Sequence, residues 1–139
     1  IEQKLNLNIS KIFETKGELY FRKIERKALE EILNLKGPMI ISLGGGTPCY
    51  FDNIDYINGF DDTITIYLKT SVEKLSKRLM IEKNKRPLIS HLKKNDEIKE
   101  FVNKHLFERS QFYSKAKFKI STDDNDLEKI ITQIKNHLT

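Results

Sequence analysis

A single cysteine, Cys49, stands in the 139 residues, so no internal disulfide can form and a reducing compartment is expected. No apolar run is long enough to make a transmembrane helix, and no signal-peptide pattern opens the chain. A cytoplasmic protein without a membrane partner is the resulting expectation. His91, His105 and His137 share no metal-ligand spacing, and no metal site is assigned. The net charge of +5 favours anionic partners without identifying them. No zinc spacing, RNA-binding aromatic motif or helix-turn-helix pattern accompanies that charge, so a nucleic-acid partner is not expected. Repeats, low-complexity tracts and linkers are missing too. One domain over 1–139 follows, long enough to bury a core.

What is present is an alternation of helical and strand patterns. Asn8 or Ser10 can cap a short helix that Gly17 ends. From Glu18 to about Leu35 the apolar residues Leu19, Ile24, Ala28, Leu29, Ile32 and Leu33 recur at helical spacing, and Gly37-Pro38 breaks the helix. MIISL (39–43) reads as a strand covered on both faces, TITIYL (63–68) as a second and KFKIS (117–121) as a third. Residues 50–60 read as a connection. Helices are expected from near Ser71, over 95–115, and in LEKIITQIKNHL at the end. This order, with long crossovers, implies parallel strands in right-handed βαβ units and an α/β fold.

MIISL runs into Gly44, Gly45 and Gly46. One glycine would suffice for a turn; three strip the side chains from a stretch of backbone and let another molecule approach it. In parallel α/β sheets ligands bind beyond the carboxyl ends of the strands, which is where the triplet falls. Other candidates are ordinary singly. Arg22 and Glu25 lie three apart on a helix, as an exposed ion pair would. NKRPL (84–88) can be a solvated loop, and Arg109 and Tyr113 are four apart on a helix. Asp61-Asp62 reads as a turn before the second strand.

Taken in order, FETKGELYFRKIERKAL, ISLGGGTP, TIYLKTSVEKLSKRL, KRPL, ERSQFYSKA and KISTDD resemble the shikimate kinase family over essentially the whole chain. The resemblance implies a P-loop kinase-type three-layer fold with a central parallel sheet. It implies substrate-binding helices over 1–35 and a lid over 84–108. It also implies ATP-dependent conversion of shikimate to shikimate 3-phosphate by a monomer, with Mg2+ as cofactor. Arg22 and Arg109 match the arginines that hold the substrate's carboxylate, and Glu25 the glutamate that supports the first. Gly45 matches the glycine whose backbone meets the substrate beside its reacting hydroxyl, flanked by Gly44 and Gly46. Arg86 matches the lid arginine that reaches the ATP phosphates. Arg78 matches an arginine flanking adenine, and Thr122–Asn125 the adenine loop, with Asn125 carried over as a nucleotide contact. The roles suit the chemistry: a guanidinium gives a carboxylate a planar donor fork, and phosphoryl transfer needs mainly positioning and charge neutralisation.

One departure is large. No G-x-x-x-x-G-K-[ST] occurs in the 139 residues, although the family carries that phosphate loop after its first strand. The opening IEQKLNLN also reads as a helix entered part-way. Roughly 35–40 preceding residues are therefore expected, enough for a strand, the phosphate loop and one helix, and the resemblance implies a proton-accepting aspartate just ahead of Ile1. The chain by itself is expected to be inactive. Two alternatives stay open at this point: another small-metabolite P-loop kinase, such as a gluconate kinase, and a non-catalytic ligand-binding module.

Overall fold

Asn8 begins the first substantial helix by accepting the Lys11 backbone N–H on its side-chain oxygen at 2.8 Å. In the computed structural model, which describes residues 1–82, 92, 94–124 and 126–138, this helix is preceded by a single turn, α1 (Glu2–Leu5). The capped helix is α2 (Ile9–Lys16), and α3 (Glu18–Leu33) follows directly. Gly17 is the joint between them. Its φ of 81° and ψ of 166° lie where a side chain is strained, and from there the chain leaves α2 and enters α3 within one residue. Ile12, Phe21 and Leu29 are buried, and the rings of Phe13 and Phe21 meet at 4.7 Å. Apolar burial therefore fixes how α3 lies on α2.

The chain divides into two compact units, Ile1–Ile57 and Asn58–Thr139. In the first, residues 44–46 lead into a 3-10 turn, Thr47–Cys49, and then α4 (Asn53–Asn58), whose last residue opens the second unit. The expected strand at 39–43 does not form. Among the described residues no segment pairs with MIISL, and Ile40 is 95% exposed. A strand needs a hydrogen-bonded neighbour whatever its apolar content, and here none is supplied. The connection expected over 50–60 likewise contains α4.

In the second unit β1 (Ile66–Lys69) pairs in parallel with β2 (Phe118–Ser121), Ile66 opposite Phe118. Each strand is four residues long, and β1 begins three residues later than the sequence pattern suggests. Thr65 explains the late start. Its hydroxyl donates to Asn58 Oδ1 and accepts the Lys117 N–H, so a side chain takes the place of a ladder bond. The crossover is α5 (Val72–Glu82) and α6 (Asn95–Tyr113), packed on each other, with Ile98 and Val102 buried. After β2, Asp123 accepts the Ser71 N–H at 2.8 Å just before α5. Asp126 then caps α7 (Leu127–Asn136) by accepting the Lys129 N–H at 3.0 Å. Helices around a parallel strand pair make this an α/β fold.

Candidate active site

The 3.6-residue period of α3 sets Glu18, Arg22 and Glu25 on one face. Arg22 Nη1 donates to Glu25 Oε2 at 2.8 Å, while Nη2 and Nε donate to Glu18 Oε1 at 3.1 and 3.3 Å. Tyr50 donates its hydroxyl to that same Glu18 oxygen at 2.7 Å, and its ring lies 4.3 Å from Arg22 Cζ. Arg22 is only 8% exposed, so the surface ion pair that the spacing alone suggested is instead a buried one. Burial is the largest single influence on its pKa and would lower it. Its hydrogen bonds to Glu25 and Glu18, the Glu25 charge and the Tyr50 contact together outweigh burial, and the guanidinium is held above its ordinary value, permanently charged.

The glycine triplet closes on this charge. A Cβ placed on Gly46 would stand 2.8 Å from Arg22 Cζ, and one on Gly44 would touch Thr47 Oγ1 at 3.4 Å and Glu25 Oε1 at 3.8 Å. Gly45 lies between them, its carbonyl accepting from Cys49 Sγ at 3.6 Å. The missing side chains at 44 and 46 thus make room for the α3 pair as well as for any molecule approaching the loop. Thr47, 3% exposed, donates its hydroxyl to Glu25 Oε1 at 2.8 Å, and its N–H to the Gly44 carbonyl at 2.9 Å. Its own carbonyl accepts from Asn53 Nδ2 at 2.7 Å. Arg26, one turn along α3 from Arg22, donates to Asn53 Oδ1 at 2.9 Å and also pairs with Glu30 and Asp52.

Five of the residues expected from sequence therefore meet in the first unit: Arg22, Glu25, Gly44, Gly45 and Gly46. A buried cation braced on two carboxylates beside bare backbone is suited to receive a third, from a ligand, since a guanidinium has five N–H groups and the three bonds to glutamate leave a remainder. Matching residues 1–139 throughout, the shikimate kinase family model decides the family. The chain belongs to the shikimate kinase family.

Relatives agree with that membership. A shikimate kinase from Flavobacterium psychrophilum is 47% identical over 134 residues, covering 96% of this chain and 77% of the relative. One from Flavobacterium johnsoniae is 43% identical over the same share of each chain. Among solved structures, the shikimate kinase from Bacteroides thetaiotaomicron superposes with a TM-score of 0.85 at 29% identity, covering 99% of this chain and 78% of that one. The shikimate kinase from Acinetobacter baumannii in complex with shikimate gives 0.75 at 28% identity, over 99% and 76%. The fold is that of the shikimate kinases, and the family's activity is the phosphorylation of shikimate in aromatic biosynthesis.

The other expected residues of this shikimate kinase family member fall elsewhere. Arg78 on α5 lines a cavity of about 330 Å³ in the second unit, with Leu68, Thr70, Thr122, Leu127 and Ile130. Arg109 lies on α6, where its positive charge and burial both lower the pKa of nearby His105, burial being the larger effect. Arg86 and Asn125 lie outside the described residues. Glu18, Arg26, Thr47, Tyr50 and Asn53 were not singled out from sequence. Glu18 and Arg26 had a local signal, each four residues from Arg22 on the same helix.

Proposed function

We propose that this chain forms the substrate site and lid of an enzyme that transfers the γ-phosphoryl group of ATP to a shikimate hydroxyl, giving shikimate 3-phosphate and ADP. The observation that carries this reading is the Arg22 guanidinium, buried and braced by Glu18 and Glu25 against Gly46. Arg22 takes the substrate carboxylate, and the family resemblance assigns Arg109 to the same group. Glu25 fixes Arg22 so that its remaining donors are aimed before substrate arrives, which reduces the ordering cost of binding. Gly45 offers backbone beside the reacting hydroxyl, with Gly44 and Gly46 giving it clearance.

The nucleotide belongs to residues of the second unit in this reading. Arg78, which lines the cavity, flanks adenine; the resemblance assigns Asn125 to the nucleotide and Arg86, in the 84–108 lid, to the ATP phosphates, and both lie outside the described residues. Of that lid, residues 95–108 are the first part of α6. An arginine that arrives only on closure neutralises charge on the transferring group while water is excluded. Among the described residues no group of three or more His, Cys, Asp or Glu side chains is placed to hold a metal ion. Magnesium belongs to this scheme as the counter-ion of ATP, and no step here is assigned to it. Among the described residues no helix is long and apolar enough to cross a membrane. A cytoplasmic monomer is proposed on the family resemblance alone.

A coupled assay on the full-length protein tests the reading. ADP release that requires shikimate, with shikimate 3-phosphate as product, is the expected result. Tight shikimate binding without ADP release would instead make the protein a ligand-binding module, and turnover of gluconate in place of shikimate would reassign the substrate.

A further inference from the structure

Both oxygens of Glu25 are engaged, and by different parts of the unit. Oε2 accepts from Arg22 at 2.8 Å; Oε1 accepts from the Thr47 hydroxyl at 2.8 Å. Thr47 therefore sets which way the carboxylate turns, and through it where the guanidinium points. Thr47 is itself pinned. Its N–H closes a turn on Gly44, and its carbonyl is held by Asn53, which is fully buried and tied by its other side-chain atom to Arg26 on α3. The connection runs from α3 out through Arg26, Asn53 and Thr47, and back to α3 at Glu25. Every buried side-chain polar atom among the described residues is satisfied, so the ring is closed.

We infer that Thr47 is a positioning residue for shikimate, acting through Glu25 and Arg22 without touching the substrate. The inference rests on the reading that Arg22 receives the substrate carboxylate. A threonine is suited to the task because one hydroxyl on a short β-branched stem has few orientations to lose. A serine keeps the donor; a valine keeps the shape and removes it.

The experiment is steady-state kinetics on full-length Thr47→Val, Thr47→Ser, Glu25→Ala, the Glu25→Ala/Thr47→Val double variant and Arg22→Ala, varying shikimate and ATP in turn. Thr47→Val should raise KM for shikimate about 5–20-fold, less than direct loss of a hydrogen bond to a charged group because the effect reaches the substrate only through Glu25 and Arg22, while kcat stays within about twofold and KM for ATP is unchanged. Thr47→Ser should stay near the parent. In the double variant the Thr47 change should add nothing to the Glu25 change, since the residue acts through a partner already removed. Should Thr47→Val not fold, Thr47→Ala is read by the same criteria. A normal KM for shikimate, a Thr47→Ser as impaired as Thr47→Val, or additive losses in the double variant would each overturn the inference. If Arg22→Ala raises KM and Thr47→Val does not, this inference alone fails. If Arg22→Ala leaves KM unchanged, the reading of the site fails and this inference with it.

Discussion

Gly46 and Arg22 approach so closely that no methyl group fits between them: a Cβ on Gly46 would lie 2.4 Å from Nη2 of Arg22. The glycine is therefore a requirement of the charge beside it as well as of the loop. Gly46→Ala should push the guanidinium off its two glutamates, which weakens shikimate binding, and lower folding stability by about 1–3 kcal/mol, the usual cost of overpacking a close-packed position. Calorimetric titration of the full-length variant checks this, and an affinity equal to the parent's would show that the contact is slack.

Gly17 is predicted to matter for folding and not for chemistry. Its backbone, at φ 81° and ψ 166°, occupies a region nearly closed to other residues, although a Cβ there would meet nothing within 4 Å. Gly17→Ala should cost about 1–3 kcal/mol through backbone strain alone. Thermal unfolding should show a lower midpoint with kcat unaffected in the folded protein.

A pH signature follows from Tyr50. Its hydroxyl donates to Glu18, and that bond, with burial and the Glu18 charge behind it, raises its pKa above the ordinary 10.0. The folded state then binds the proton more tightly than the unfolded chain. Its contribution to stability is complete below about pH 10 and is lost as pH rises through the folded value. Tyr50→Phe should be less stable than the parent at neutral pH, and the gap should narrow above pH 10. Tyr67, raised by burial alone, keeps some alkaline sensitivity in the variant. Denaturant unfolding at pH 8 and at pH 11 gives the comparison, and a gap that widens with pH would contradict the assignment.

How much of this was legible beforehand varied with distance along the chain. The Asn8 cap, the Gly17 joint and the helical stripe of α3 rest on neighbours within a few residues, and all were readable. MIISL shows the limit of reading an apolar run: burial preference sets composition, but a strand exists only beside a pairing partner. α4 escaped because six residues, NIDYIN, are too few to display a period. Within the site, Arg22 and Glu25 stood out through motif spacing. Thr47 and Tyr50 did not, since their partners Glu25 and Glu18 lie 22 and 32 residues away. No local pattern records such a contact.

Arg86 lies outside the described residues, and its prediction comes from NKRPL. Arg86→Ala should lower kcat on the order of 10³-fold while KM for shikimate moves little, because the contact forms with the transferring phosphoryl group and not with the acceptor. Kinetics with both substrates varied decide this, and an unchanged kcat would return the segment to the status of a surface loop.

The central claim is that Arg22 receives the carboxylate of shikimate, and it is tested most directly by titrating shikimate into full-length Arg22→Ala and Arg22→Lys beside the parent, with circular dichroism confirming that each is folded. Loss of one arm of a charge clamp should weaken binding by about 2–5 kcal/mol in the alanine variant. Lysine, which keeps the charge but lacks the planar fork, should recover only part of it. Parent-like affinity in a folded Arg22→Ala would contradict the account.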